Sequence, residues 1–364
     1  MNFIPISRPT ITNSEIRNVM DAVESGWVSS QGKYINLFEE GFSKFCNTKY
    51  AVAVANGTVA LHLALVALGI GENDEVIIPD FTFIATANAV RYTGAKVILA
   101  DIDPVTLCID VNKIVHLITP KTKAIIPVHI YGHPADMCRL KKIADEFGLY
   151  LIEDAAEAHG AEVNNLKVGS LGDLGVFSFY GNKIITTGEG GMITTNDQKL
   201  FERMKFLRDH AMSSDKRYWH SEVGFNYRMT NLQAALGVAQ LERIESIIDR
   251  KISIFQAYKK ELFGFPGISL NRTESWAKNV YWMICLEVDR FDEDARDAFI
   301  LELKKRGIES RPYFYPISRM GVYHSACPNK EAYGVYKKGI NLPTYFDLCN
   351  DEIIEICRVI KEIV

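Results

Sequence analysis

Ser178-Phe179-Tyr180-Gly181-Asn182-Lys183-Ile184-Ile185-Thr186-Thr187-Gly188-Glu189-Gly190-Gly191 is the stretch on which the reading of this chain turns. A strand-like apolar run, 175–179, delivers Lys183 into a turn, a glycine-rich segment follows, and a second strand-like run spans 192–195. Upstream, Leu149-Tyr150-Leu151-Ile152 ends in Glu153-Asp154. An amine and a carboxylate therefore stand at the ends of two expected buried strands. Pyridoxal phosphate chemistry needs that pair. The lysine forms a Schiff base, and the aspartate keeps the pyridine nitrogen protonated so that the ring accepts electrons. A loop lysine is ordinarily a solvated one, but the company of Lys183 argues otherwise. Ser178 stands where it can bind phosphate, and Thr186, Thr187 and the glycines make a tight polar loop rather than a helix face.

Outward from this segment, strands and helices alternate. Strands are expected over 51–55, 75–78, 96–100, 124–128 and 149–152, with helices over 13–24, 35–45, 58–68, 82–92 and 135–147. In the first helix Ile16, Val19, Met20 and Val23 share one stripe. Such alternation implies a mostly parallel sheet covered on both faces. Longer helices follow over 199–208 and 231–250, the second able to link two domains. After about residue 250 the pattern changes to a strand over 282–288 and helices over 294–306 and 353–363. The expectation is a large α/β domain, 1–250, and a smaller C-terminal α+β domain, 251–364.

The composition narrows the function. Of 364 residues 48% are apolar and 24% charged, and the formal net charge is -4 with no basic stripe, which argues against nucleic acid or an anionic membrane as partner. No run approaches the roughly 20 apolar residues of a membrane span. Met1 to Pro9 is short and mixed, unlike a signal peptide. Seven cysteines, at 46, 108, 138, 285, 327, 349 and 357, form no CxxC pair. They read as free thiols of a cytoplasmic protein, with no metal site. GxGxxG, HExxH and GxSxG are absent, and Gly26 to Lys33 misses the Walker A spacing.

Three local features leave alternatives open. Asn56-Gly57-Thr58 joins a strand to a helix, where free amides and the helix dipole favour an anion, although most such pairs are only turns and caps. Asp154 also reads as an N-cap for a helix from Ala155, with Glu157 and His159 on the same turn and His159 expected to be half-buried and satisfied. Asp101-Ile102-Asp103 reads as a turn with solvated carboxylates rather than a metal site.

At this point the residues resemble the sugar-nucleotide aminotransferases of fold type I, the aspartate-aminotransferase fold. The likeness runs from Gly26-Trp27-Val28-Ser29-Ser30 to Ile340-Asn341-Leu342-Pro343. It is carried by Asn56-Gly57-Thr58-Val59-Ala60-Leu61, Thr82-Phe83-Ile84-Ala85-Thr86, Glu153-Asp154-Ala155-Ala156-Glu157-Ala158, Phe179-Tyr180-Gly181-Asn182-Lys183 and Gly224-Phe225-Asn226-Tyr227-Arg228-Met229-Thr230-Asn231. Arg217-Tyr218-Trp219-His220 and Glu309-Ser310-Arg311-Pro312-Tyr313-Phe314-Tyr315-Pro316 carry a closer likeness to the branch that aminates C4 of GDP-4-keto-6-deoxymannose.

The resemblance implies a seven-stranded-type sheet and a set of roles. Lys183 would carry pyridoxal phosphate, with a pyridoxamine phosphate form in the cycle, and Asp154 would bond the pyridine nitrogen. Glu157 would sit near the ring's phenolic oxygen, where many relatives carry glutamine. Phe83 would stack on the ring, and Gly57, Thr58 and Ser178 would hold the phosphate. Asn226 would reach the phosphate in a neighbouring subunit, giving a homodimer with shared sites. Trp27, Arg228, Tyr313 and Ser318 would lie near the sugar. L-glutamate would be the donor, 2-oxoglutarate the by-product, and a surface glycan such as the O-antigen of lipopolysaccharide the destination. Relatives usually have cysteine where Ala155 stands and histidine where Ser318 stands, and the second departure bears on the sugar. Other readings are a UDP- or dTDP-sugar substrate, a deoxysugar dehydratase, and a non-catalytic sensor of the same cofactor. Dehydratase relatives replace the lysine by histidine, so Lys183 speaks against that one.

Overall fold

The computed structural model describes residues 3–323 and 329–364. Cys327 lies outside them, and the other six cysteines are free thiols. A seven-stranded sheet forms the larger body. Five of its strands are β1 (Tyr50–Val54), β2 (Glu75–Pro79), β3 (Lys96–Ala100), β4 (Thr122–Ile125) and β5 (Tyr150–Asp154), joined by Leu174–Ser178 and Gly191–Thr195. The order across the sheet is β1, Gly191–Thr195, Leu174–Ser178, β5, β4, β2, β3. Pairing is parallel from β3 to Leu174–Ser178, and Gly191–Thr195 runs antiparallel to both its neighbours. The mostly parallel sheet expected from the alternation is therefore present. The reversal follows from the connection: no helix separates Ser178 from Gly191, and a parallel return needs a long crossover.

The helices α1 (Asn13–Glu24), α2 (Lys33–Cys46), α3 (Gly57–Ala67) and α4 (Ala85–Tyr92) lie close to their expected bounds. α4 starts later than expected, which leaves Thr82 and Phe83 in the loop after β2. In α1 only Val19 of the expected apolar stripe packs against the chain's own core. Ile16, Met20 and Val23 are about half exposed, whereas Glu15 and Ala22 are buried. Polar bonds set this orientation, because the Glu15 carboxylate accepts from Gln240 and from Arg243, the latter at 2.9 Å.

The expected helix over 231–250 is two helices, Asn231–Glu242 and Ile244–Glu261, broken at Arg243 (φ -117, ψ 14). No glycine or proline marks the break. Arg243 leaves helical geometry while its guanidinium bonds Glu15 and the Thr10 carbonyl. The second helix bridges two cores: Ile244, Ile247 and Ile248 pack with the large sheet, and Ile254, Phe255 and Tyr258 with the C-terminal part. That part holds a four-stranded antiparallel sheet in the order Ile268–Leu270, Ile284–Val288, Gly339–Leu342, Arg311–Pro312, with helices Glu293–Lys305 and Asn350–Ile363. Most of this sheet was not expected, since its outer strands are too short to show a period.

Candidate active site

A cavity of about 700 Å³ opens at the carboxyl ends of the parallel strands. In such sheets the loops leaving those ends form the crevice. Residues Asn56 to Thr58 follow β1, Thr82 and Phe83 follow β2, Asp154 ends β5, and Ser178 ends its strand. Trp282, Arg311, Phe314 and Asn341 close the cavity from the C-terminal part.

Asp154 is buried at the end of β5. Its Oδ2 accepts the Thr86 hydroxyl at 2.8 Å and its Oδ1 the Ala156 amide at 3.2 Å. The residues after it form a turn and no helix, so the N-cap reading is replaced by a tight carboxylate turn. Burial pushes the carboxyl above its ordinary range, and the bonds from Thr86 and Ala156 and the nearby Lys183 charge oppose that push. The neighbouring Glu153 holds this level of the sheet in place. It is fully buried, accepts the amides of Gly169, Leu171 and Gly172, and pairs with His129 Nε2 at 3.0 Å.

Lys183 lies inside the cavity, not on the surface. Its Nζ is 3.7 Å from Glu157 Oε1 and 4.0 Å from the centroid of the Trp282 ring. The Trp282 indole N–H donates to the Asn182 carbonyl at 2.7 Å, which orients the ring beneath the amine. Thr186 Oγ1 and the Thr187 amide both donate to the Phe179 carbonyl, clamping the loop that carries Lys183. Burial lowers the lysine's pKa, and the charges of Glu157 and Asp154 act in the opposite sense. Glu157 Oε2 accepts the Tyr131 amide at 2.9 Å, and burial pushes its carboxyl up to about 7 against the pull of Lys183.

His159 is fully buried against Phe42, Phe177 and Phe179, and neither ring nitrogen has a partner among the described residues. The expectation of a half-buried, satisfied histidine is corrected. The ring sits in an aromatic pocket, and burial brings its pKa down to about 3.

α3 begins at Gly57, and the Asn56 side chain accepts the Val59 amide at 3.0 Å. That leaves the Gly57 and Thr58 amides without a protein acceptor among the described residues. A Cβ built on Gly57 would lie 2.9 Å from Ser178 Cβ, so the helix start and the Ser178 hydroxyl form one close seat. Helix N-termini of this kind receive phosphate. A carboxylate, a buried amine and an anion seat in one cavity, with Phe83 over half exposed at its wall, fit pyridoxal phosphate. The glycine gives a first test. Gly57→Ala is expected to weaken cofactor retention about tenfold, or about 1.4 kcal/mol, without unfolding the chain. Absorbance titration of the cofactor-free protein with pyridoxal phosphate measures it, and unchanged affinity would mean that the seat yields.

Other expected site residues are placed elsewhere. Tyr313 and Ser318 are fully buried behind the cavity wall, and the Ser318 hydroxyl donates to Asp80 at 2.6 Å. Neither lines the cavity of its own chain, and the buried Asp80 carboxylate takes the Ser318 hydroxyl for its own partner. Trp27 is exposed outside the cavity, its carbonyl accepting from Asn231 at 2.7 Å. Arg228 bonds Asn226 at 3.1 Å and Asp209 at 2.8 Å, so neither it nor Asn226 lines the cavity of its own chain. Asp101 is buried, paired with Lys113 at 2.8 Å, and accepts the Ala332 amide, so it is not solvated. Among the described residues no cluster could hold a metal ion. Thr86, Trp282, Glu189 and Arg311 line the cavity and Tyr131 holds Glu157 through its amide, and none of them was singled out as a site residue in the sequence. Thr86 was legible, standing one helical turn after Thr82, whereas Trp282 arrives from another part of the chain and leaves no local signal.

Comparison with known proteins gives four findings. The profile of the DegT/DnrJ/EryC1/StrS aminotransferase family matches residues 9–361. A GDP-perosamine synthase of Vibrio cholerae is 44% identical over 98% of this chain and 98% of its own. Among solved structures, S. venezuelae DesV in complex with a ketimine intermediate superposes with a TM-score of 0.92 at 32% identity, covering 100% of this chain and 98% of its own. A candidate sugar aminotransferase of Streptococcus pneumoniae, Spr1654, solved in its PMP form, gives a TM-score of 0.94 at 28% identity over 99% of this chain and 97% of its own.

Proposed function

Because this chain belongs to the DegT/DnrJ/EryC1/StrS aminotransferase family, we propose that it transfers an amino group from L-glutamate to C4 of GDP-4-keto-6-deoxymannose, giving GDP-perosamine and 2-oxoglutarate. The observation that carries transamination is a buried lysine amine beside a buried carboxylate, in a cavity that also holds a second acid and a helix start. The full-length likeness to GDP-perosamine synthases carries the choice of sugar.

Pyridoxal phosphate, when bound, supplies a ring that delocalises the charge developing at the amino-bearing carbon. Asp154 would hold the ring nitrogen through a charge-assisted bond, oriented by Thr86. Gly57, Thr58 and Ser178 would seat the phosphate, Phe83 would cover the ring, and Glu157 would face its phenolic oxygen. Lys183 would anchor the cofactor through Nζ. Once released, the same amine would take a proton from the donor's α-carbon and later return one to the sugar's C4. Trp282 and Phe314 would exclude water from the amine.

Our reading includes a homodimer. The unpartnered stripe of Ile16, Met20 and Val23, with Trp27, Val28 and Leu37, gives one subunit an apolar face to bury. Asn226 and Arg228 would act on the partner's site. We also place the domain boundary near residue 250, within the bridging helix, and the protein in the cytoplasm as part of surface-glycan synthesis. No helix among the described residues is long and apolar enough to cross a membrane.

The test is a panel of GDP-, UDP- and dTDP-linked 4-keto sugars incubated with protein, pyridoxal phosphate and glutamate, read by mass spectrometry. The GDP-linked substrate should yield the amine. Amination of a UDP or dTDP sugar alone would overturn the choice of nucleotide. Absence of any aminated product with every amino donor tried would overturn transamination.

A further inference from the structure

We propose that Glu157 is the resident proton partner of Lys183: the carboxylate takes the ammonium proton from Nζ and later returns it, so that the amine becomes neutral without exchanging with bulk water. The proposal rests on the reading of Lys183 as the working amine.

Geometry carries it. Glu157 Oε1 is the carboxylate oxygen within ion-pair distance of Nζ, at 3.7 Å, and no other ion pair to Lys183 occurs among the described residues. The second oxygen is committed elsewhere, since Oε2 accepts the Tyr131 amide at 2.9 Å. One half of the carboxylate is thus fixed by backbone while the other faces the amine. The lysine's four-carbon stem supplies the short approach to hydrogen-bond distance. Both side chains are largely enclosed, at 12% and 3% exposure. On its other side the amine meets the Trp282 ring face, which favours the charged ammonium and accepts no proton.

The transfer balances. An N–H bond of Lys183 breaks and an O–H bond of Glu157 forms, and the positive and negative charges vanish together. In a buried site the neutral pair avoids the cost of holding two separated charges. The surroundings leave this exchange to the pair. Asp154 is the other carboxylate facing it, and its bonds go to Thr86 and Ala156. His159 beneath the lysine is held neutral by burial. Tyr131, Cys108 and Cys285, which also face Glu157, are pushed upward by burial and keep their protons. His129 is engaged with Glu153. An amide at position 157 could accept a bond from the amine but not its proton.

The experiment uses cofactor-free protein and Lys183 itself as the probe. Pulses of acetic anhydride across a pH series, with mass spectrometry of the Lys183 peptide, give the midpoint at which the amine becomes reactive. A carboxyl that has taken the proton is as uncharged as an amide, so Glu157→Gln is expected to leave that midpoint within about 0.3 units of the wild type. A midpoint lower by about one pH unit or more in Glu157→Gln would show a standing ion pair with no transfer and would overturn the proposal.

Should that variant fail to fold, infrared spectroscopy of the native chain decides. Acetylation of Lys183 should leave Glu157 holding a proton and produce a carboxylic acid band at neutral pH, and absence of that band overturns the proposal. Neither measurement uses a sugar or an amino donor. A failure of either measurement therefore leaves transamination standing, and a failed sugar panel leaves the proton partnership standing.

Discussion

Lys183→Ala is expected to lower turnover by more than about 10⁴-fold, because in the proposed function it removes both the covalent anchor and the proton-transfer group. The loss should appear in each half of the cycle. With glutamate alone the cofactor's absorbance should stay unchanged, and with the sugar no amine should form. The fold should survive. Among the described residues Lys183 forms no side-chain hydrogen bond within 3.5 Å, and its ion pair with Glu157 spans 3.7 Å. Left without its cation, Glu157 would take up a proton rather than remain a bare buried charge, since its carboxyl already stands at about 7. Circular dichroism and the thermal midpoint should therefore stay close to the wild type while turnover disappears. Turnover near that of the wild type in this variant would end the assignment of Lys183.

Much of this arrangement was legible because the chemistry sits at strand ends. The turn after β1, the acid ending β5 and the loop after Ser178 each follow a run whose apolar character is visible in the sequence. Their convergence then follows from a parallel sheet, which gathers the carboxyl ends of its strands on one edge. What stayed hidden lacks a local signal. Trp282 and Arg311 reach the cavity from the C-terminal part, so no spacing ties them to Lys183. The break at Arg243 depends on a carboxylate far away in sequence, Glu15. Ser318 was expected beside the sugar by resemblance, but the buried carboxylate of Asp80 takes its hydroxyl, and Asp80 itself reads as an unremarkable strand end. The apolar stripe of α1 was legible as a stripe, but periodicity reveals an apolar face without saying what covers it, and Ile16, Met20 and Val23 stay about half exposed.

Asp154→Asn is expected to slow turnover by about 10²–10³-fold while leaving most of the cofactor affinity in place. The substitution keeps size and shape. The Thr86 hydroxyl can still donate to the amide oxygen, whereas the bond from the Ala156 amide is given up, so the side chain keeps the shorter of its two anchors. What disappears is the negative charge. A neutral amide aims an N–H at the ring nitrogen and favours its unprotonated form, whereas a carboxylate favours the protonated one. Electron withdrawal from the substrate carbon weakens accordingly, and removal of its proton becomes the slow step. Two measurements separate this from a structural effect. Deuterium at the α-carbon of glutamate should slow the variant more than it slows the wild type. The amount of pyridoxal phosphate bound per subunit should fall little, because the phosphate seat at Gly57, Thr58 and Ser178 lies on other strands. Rates close to the wild type would mean that Asp154 serves only to close the turn through the Ala156 amide. A variant that binds no cofactor would show that the acid provides affinity rather than electronic control.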